Sequence, residues 1–310
     1  MRFKQVVFGQ ACHIPGIYGW LSKNAGGGES ARYCYSVWLR HLVLVDECRA
    51  GGVPDVVAEL GPGDSLGAGL AALLSGAGRY VALDVVPHGE LERNLGLLDE
   101  LVELFESRAD IPGPDEFPDV KPRLDSWTFP SRILTDDVLA RSLAPQRVRR
   151  IRDSILDPDA EHSIIRYAVP WTARASLEKS SVDMVFSQAV LEHVDDLEGV
   201  YPAMAAWLRS GGVMSHEIDM TAHQLDSRWN VHWTWPEWKW RLVKGGRPYL
   251  INRAALSVHL ELIERSGFDL RFKRTVERDS AIRRGQLARR FQNLDDNDLT
   301  TSAAYVVATR

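Results

Sequence analysis

Residues 59 to 63 read Glu-Leu-Gly-Pro-Gly, and an aspartate, Asp84, closes the next apolar run. A buried strand over 53–60 leads into a turn with two glycines one residue apart. Such a turn lets the backbone approach a ligand closely. An acid ending the second strand is placed to accept hydrogen bonds from ribose hydroxyls. Together, Glu59, Gly61, Pro62, Gly63 and Asp84 predict a site for a nucleoside-containing cofactor.

The loop argues against a dinucleotide. Pyrophosphate binding wants a third glycine at the opening of the next helix. Here that position is Leu66, although Gly67 is adjacent, and Asp64 stands where a pyrophosphate would be repelled. S-adenosylmethionine has no phosphate, and its amino and sulfonium groups are cationic. An acidic rim of Glu59, Asp64 and Asp84 suits it better. The rival reading is a nicotinamide-dependent oxidoreductase.

Further segments follow in order: Ala82-Leu83-Asp84, Asp183-Met184-Val185-Phe186-Ser187, Leu191-Glu192-His193-Val194, and Leu208 to Gly212. With the Glu59–Gly63 loop they resemble the class I S-adenosylmethionine-dependent methyltransferases, over roughly residues 53–310. The segments Val182–Val194 and Ser215–Asp219 are also similar to methyltransferases of bacterial surface-polysaccharide clusters. The resemblance implies methyl transfer, with a sugar or glycan hydroxyl as the expected acceptor. In that family an acid after the third strand often meets the adenine. Here the stretch is Pro170-Trp171-Thr172-Ala173, so Trp171 is expected to stack on the base. Gln188 is expected at the cofactor's edge, or as an ordinary loop amide.

Methyl transfer to oxygen needs alignment of the acceptor and a base for its proton. In open α/β sheets ligands bind at the carboxyl ends of strands. Histidine titrates near neutrality, and three histidines lie near those ends. His223 is the expected base, with Asp219 orienting it or acting as base itself. His193 and His216 are alternates. Each has a structural alternative as a hydrogen-bonded interior histidine, and His216 and Glu217 must point to opposite faces of a strand. The spacing of His216, Asp219 and His223 matches no established ligand pattern, so no metal is expected.

Residues 229 to 240 hold five of the ten tryptophans, Trp229, Trp233, Trp235, Trp238 and Trp240. Tryptophan offers a wide apolar face with a polar edge, suited to sugar rings. Trp229, Trp233 and Trp235, with Tyr249, Asn252 and Arg253, are the expected acceptor contacts. The structural alternative is that these rings pack a lobe onto the sheet. Arg271 to Arg290 holds eight basic against two acidic residues. It reads as a solvated insertion, or as a peripheral contact with an anionic membrane or carrier lipid.

These residues need a frame to position them. Strand patterns at 53–60, 80–85, 163–169, 182–187 and 213–218 alternate with helical ones, which predicts a mostly parallel sheet covered on both faces. The expected fold is α/β: a Rossmann-like, doubly wound sheet of about seven strands, its last strand antiparallel, plus helical insertions. Residues 1–52 read as an aromatic loop, closing on Gly26-Gly27-Gly28, and a helix from Glu29 to Cys48. Residues 53–310 read as the methyltransferase domain, with insertions at about 88–160 and 222–250. The first insertion carries a helix over 91–107, a proline-rich loop over 111–122 and a basic helix over 145–155. It is a candidate cap over the acceptor. Pro202 should kink or split the helix over 195–208. Gly211-Gly212 should end it.

The 310 residues suffice for a large core, and 45% hydrophobic with 25% charged residues is ordinary for a globular protein. A net charge of −5 argues against dedicated nucleic-acid binding. No apolar run could span a bilayer, and Met1–Gln5 lacks a signal-like stretch. Cys12, Cys34 and Cys48 have no metal-like spacing, so a reduced, cytoplasmic protein is expected. Two further alternatives stand beside sugar O-methylation: a methyltransferase of a small molecule or lipid, and a non-catalytic cofactor-binding protein.

Overall fold

The computed structural model of the chain describes residues 3–12, 30–49, 51–85, 91–171, 176–223, 225–247 and 249–310. The expectations for Gly26–Gly28, Thr172 and Ala173 lie outside them. Seven strands form one sheet: β1 (Val56–Leu60), β2 (Arg79–Leu83), β3 (Ile165–Ala168), β4 (Val182–Gln188), β5 (Leu208–Asp219), β6 (Asp269–Glu277) and β7 (Thr301–Thr309). Their spatial order is β3-β2-β1-β4-β5-β7-β6. The five strands from β3 to β5 pair in parallel. β7 runs antiparallel to both of its neighbours, β5 and β6. This is the Rossmann-like doubly wound sheet expected from the strand–helix rhythm.

The parallel strands are apolar runs because both of their faces are covered. On one face lie α2 (Ala31–Arg49), α3 (Gly67–Leu74) and α4 (Leu91–Glu106), packing Trp38, Leu70, Leu101 and Phe105 against Met184, Phe186 and Tyr305. On the other lie α7 (Leu197–Trp207) and α9 (Leu256–Arg265), which bring Tyr201, Met204 and Ile263 against Val185 and Met214. The chain leaves β1 toward β2 and β3, then returns to β4 and β5 on the other side. The sheet therefore opens between the carboxyl ends of β1 and β4, where such folds place ligands.

The helix α2, N-terminal to the expected domain, is part of the main core. Within 88–160, α4 turns Asn94, Leu97, Leu98, Leu101 and Phe105 inward at helical spacing. It is joined by α5 (Asp136–Ser142), which Thr135 caps at the Val138 amide, and α6 (Pro145–Leu156), which opens on proline. These helices thicken the covering layer. α4 meets the site end, where Asn94 Oδ1 accepts the Leu66 amide at 2.9 Å, and so does the loop between α4 and α5. It is tied down by the buried Arg40, which donates to the carbonyls of Pro112, Val120 and Pro122.

Near residues 222–250, α1 (Phe3–Ala11) packs on α8 (Glu237–Lys244), and Leu225, Trp235, Trp240, Val243 and Ile251 form a small separate core. Two local expectations are corrected. α7 is not split but continues through Pro202, with Tyr201, Ala203 and Met204 all buried beside it. Gly211-Gly212 lies inside β5, which starts at Leu208, and the pairing with β4 absorbs a register shift there.

Candidate active site

The first part of the site is the turn after β1. Gly61 has φ +62° and Gly63 φ +71°, a region that favours glycine. The Gly61 amide donates to Leu83 O at 2.8 Å, which ties the turn to the end of β2. A Cβ on Gly61 would come within 2.9 Å of both Val190 methyls, whereas one on Gly63 would meet nothing within 4 Å. The turn is thus closed on the β4 side and open at Gly63. Pro62, between them, is half-buried.

Glu59 lies beneath this turn, not on its rim. It is buried and accepts the Tyr80 hydroxyl at 2.6 Å. Loss of water pushes its carboxyl up to about 8, only partly offset by that hydrogen bond. Asp84 ends β2 at 6% exposure, and its Oδ1 accepts the Val85 amide at 2.6 Å. Its backbone carbonyl accepts from the Trp171 amide at 2.9 Å, so Trp171 is held beside the same strand end. The Trp171 ring meets Trp207 edge-on.

The second part gathers at the ends of β4 and β5. After β4 the chain makes a short 3-10 turn, Leu191–His193, which carries Glu192 and His193. After β5 come Asp219 and His223. The His223 Nε2 lies 4.0 Å from Glu192 Oε1 and 3.9 Å from Asp219 Oδ2. The His193 and His223 rings meet edge-to-face at 5.0 Å. The turn is braced by Asn252, whose carboxamide donates to the carbonyls of Leu191 (2.7 Å) and Val194 (2.8 Å). The Asn252 amide also donates to the Glu192 carbonyl at 2.6 Å.

Burial dominates the electrostatics here. It drives Glu192 well above the carboxylate range, with Glu217 adding to the effect. It lifts Glu217 to about 8, against the opposing pull of Lys121. It lowers His193 to about 4, helped by His223, and lowers His223 despite the attraction of Asp219. Near neutrality both rings are therefore neutral and can accept a proton or a cation.

The structure brings His223, His193 and Asp219 together, as the chemistry expected of them requires. It does not bring His216 with them. His216 is fully buried within β5 and shares a 2.7 Å hydrogen bond with Ser187. Its neighbour Glu217 faces the opposite side, where Gln188 Nε2 bonds the Lys121 carbonyl at 3.1 Å and Glu217 Oε2 at 3.4 Å. Gln188 thus ties β4 to the 111–127 loop.

The acceptor platform is also redrawn. Trp233 is fully buried and donates to the Arg253 carbonyl at 3.0 Å. Trp235 and Trp240 fill the small third core. Arg253 has a fully buried side chain. It is held by Glu237 at 2.6 Å and the Trp235 carbonyl at 2.9 Å, and it stacks on Trp240. These residues build the lobe, because a buried guanidinium must be paired. Trp229 is half-buried and donates to Asp279 O at 3.0 Å, and Trp238 is 65% exposed. Tyr249 contributes a backbone hydrogen bond to His193. In the basic stretch, Arg271, Arg274, Arg284 and Arg290 each pair with a carboxylate.

Glu192 is the site residue to which sequence reasoning gave no role, and Asn252, expected at the acceptor, instead braces the turn that carries it. The available signal was the Glu-His pair immediately after a strand end.

No helix among the described residues is long and apolar enough to cross a membrane. No curated protein matches the chain. Among solved structures it is similar to an S-adenosylmethionine-dependent methyltransferase from Mesorhizobium loti, at 15% identity over 89% of this chain and 98% of that one, with a TM-score of 0.44. It is also similar to phosphoethanolamine N-methyltransferase 2 of Haemonchus contortus, at 13% identity over 96% of this chain and 60% of that one, TM-score 0.46. A third is geranyl diphosphate C-methyltransferase of Streptomyces coelicolor, at 14% identity over 89% and 78%, TM-score 0.44. Within the sequence, residues 134–215, which run through β3 and β4 into β5, match the family described as a methyltransferase domain.

Proposed function

We propose that the chain is an S-adenosylmethionine-dependent class I methyltransferase acting on a hydroxyl oxygen of a sugar or glycan. The observation that carries this is the meeting of two parts at one end of the sheet. The open glycine turn and Asp84 lie at the ends of β1 and β2, and the Glu192–His193–Asp219–His223 cluster lies at the ends of β4 and β5. Val190, in contact with Gly61, stands two residues before Glu192 and joins the two.

The residues fit the cofactor. Space at Gly63 admits a ligand against the backbone. The Asp84 carboxylate is placed for ribose hydroxyls, and Trp171, beside the same strand end, for the base. The turn itself, Gly61 to Leu66, carries no basic side chain to receive a phosphate. When bound, S-adenosylmethionine supplies an electrophilic methyl group on a sulfonium sulfur. The His223–Asp219 pair, with His193 beside it, handles the proton that the acceptor hydroxyl loses. The buried lobe around Trp233 and Arg253 holds this cluster in place, and Trp229 and Trp238 keep apolar surface for a sugar ring.

A specific observation favours a second reading, an anionic small-molecule or lipid acceptor. A cleft of about 620 Å³ opens between the 111–127 loop and the β6–β7 edge, where Lys121, Arg123, Arg274 and Arg278 outnumber Asp119 and Glu277. The test is methyl transfer to a panel of sugars, glycans, phosphorylated small molecules and lipids, read by mass spectrometry as the gain of one methylene. The expected result is a product with a sugar hydroxyl, lost in His223→Ala while cofactor affinity is kept. Products only with anionic acceptors would select the second reading. Cofactor binding without any product would favour a non-catalytic binder.

A further inference from the structure

Glu192 presents a problem that its own fold does not solve. Its side chain is 4% exposed, and only the backbone groups of Glu192 itself and of Asp219 assist its carboxylate, neither in good hydrogen-bond geometry. A buried carboxylate so weakly served is costly. Two more buried atoms beside it, His193 Nδ1 and His223 Nε2, are without a hydrogen-bond partner among the described residues. One ligand atom from each of these three residues lies within 4.8 Å of the others.

At 4.0 Å, His223 Nε2 and Glu192 Oε1 are too far apart to share a proton and leave room for an ion between them. Ligand atoms each about 2.1 Å from one cation stand about 3.4 Å apart in tetrahedral geometry, so these side chains draw together slightly on binding. Each ring also has a backbone partner, as ligating histidines do. The Asp219 backbone bonds the ring of His223, and the Tyr249 backbone bonds that of His193. The unpartnered nitrogens lie beside Glu192. Asn252 fixes the turn that carries two of the three residues.

We propose that Glu192, His193 and His223 form a binding site for one divalent transition-metal ion at the acceptor end of the cleft. Two imidazoles and a carboxylate select a first-row ion such as Mn²⁺ or Zn²⁺ over Mg²⁺ or Ca²⁺, which prefer all-oxygen ligands. Three protein ligands leave positions open. An ion here binds the acceptor oxygen and lowers the pKa of its hydroxyl. The oxygen lone pair then forms the bond to the methyl carbon, the carbon–sulfur bond breaks toward sulfur, and the hydroxyl proton passes to Asp219. In this form His223 acts as a ligand, and its share in handling the proton is exercised through the ion. The ion's role in turnover rests on the methyl-transfer reading; its occupancy does not.

The test is calorimetric titration of tag-free, chelator-dialysed full chain with Mn²⁺, Zn²⁺ and Mg²⁺, beside a separate titration with S-adenosylmethionine. One equivalent of Mn²⁺ or Zn²⁺ should bind, with Mg²⁺ about tenfold weaker or more. Glu192→Gln and His223→Asn should each weaken Mn²⁺ binding about tenfold or more, with unchanged cofactor affinity and melting curves that show a folded chain. His193→Gln serves if either variant fails to fold. Absence of a one-equivalent site, or equal Mn²⁺ affinity in the folded variants, overturns the site. If the cofactor binds and the metal does not, the methyl-transfer reading survives and this inference falls. If the metal binds and the cofactor does not, the reverse holds.

Discussion

Gly61 and Gly63 should fail differently when each is replaced by alanine. Both sit at positive φ, at +62° and +71°, so each alanine pays about 1–2 kcal/mol for the left-handed conformation. Only Gly61→Ala also drives a methyl to within 2.9 Å of the Val190 side chain. Overpacking of that kind costs about 1–3 kcal/mol more. Gly61→Ala should therefore lose about 2–5 kcal/mol and Gly63→Ala about 1–2 kcal/mol, measured by guanidinium unfolding. Val190→Ala should be destabilising alone but should recover the steric part in the double variant, giving a coupling of about 1–3 kcal/mol. Binding should show the opposite order. Gly63→Ala fills the space where a ligand meets the backbone, and should weaken S-adenosylmethionine about tenfold or more, that is, by about 1.4 kcal/mol. Equal destabilisation of the two variants, zero coupling to Val190, or wild-type affinity in Gly63→Ala would refute the assignment of a closed and an open half to this turn.

Two further outcomes are expected. Asn252→Ala leaves the Leu191 and Val194 carbonyls without their donor, so it should cost about 1–3 kcal/mol by unfolding and lower kcat more than it changes cofactor affinity, measured side by side. Acid should unfold the chain from just below pH 6.5, because burial pushes His41 and His216 down to about 3 and His259 to about 4. Their folded pKa values lie below the unfolded value, so the unfolded chain binds the extra protons and stability falls as pH drops from 6.5 toward 4. Each ring contributes up to about 1.4 kcal/mol per pH unit. His193 and His232, lowered likewise, add to the fall, while the Glu59, Glu192 and Glu217 carboxyls, raised by burial, oppose it between pH 6.5 and 5. His259→Gln should flatten the fall by up to about 1.4 kcal/mol per pH unit, and an unchanged slope between pH 6.5 and 5 would show that this ring is not buried neutral.

The frame was legible because its signals are local. Buried parallel strands read as apolar runs, Gly61 and Gly63 mark a turn, and Asp84 marks a strand end. His193, Asp219 and His223 were legible as candidates because each lies just past a strand. What joins them was not legible. Glu192 matters because two strand ends and a turn seal it from water, and Asn252 because it reaches back about sixty residues to the Leu191 and Val194 carbonyls. Trp233, Trp235 and Trp240 lie in the interior rather than on a platform. Their density reflects a small core that must be filled around Arg253, and burial on that scale is a tertiary property. His216 was over-read for the same reason: nothing in a single strand says which of two alternating residues faces the ligand.

Cofactor binding at Asp84 is the central requirement of an S-adenosylmethionine site at this end of the sheet. Calorimetric titration of S-adenosylmethionine should show a single site in the wild type, displaced by S-adenosylhomocysteine. Asp84→Asn keeps the side chain's shape and an oxygen acceptor for the Val85 amide but removes the charge. It should weaken binding about tenfold or more, as expected for loss of hydrogen bonds to a charged group. No binding in the wild type, or equal affinity in Asp84→Asn, would contradict the account.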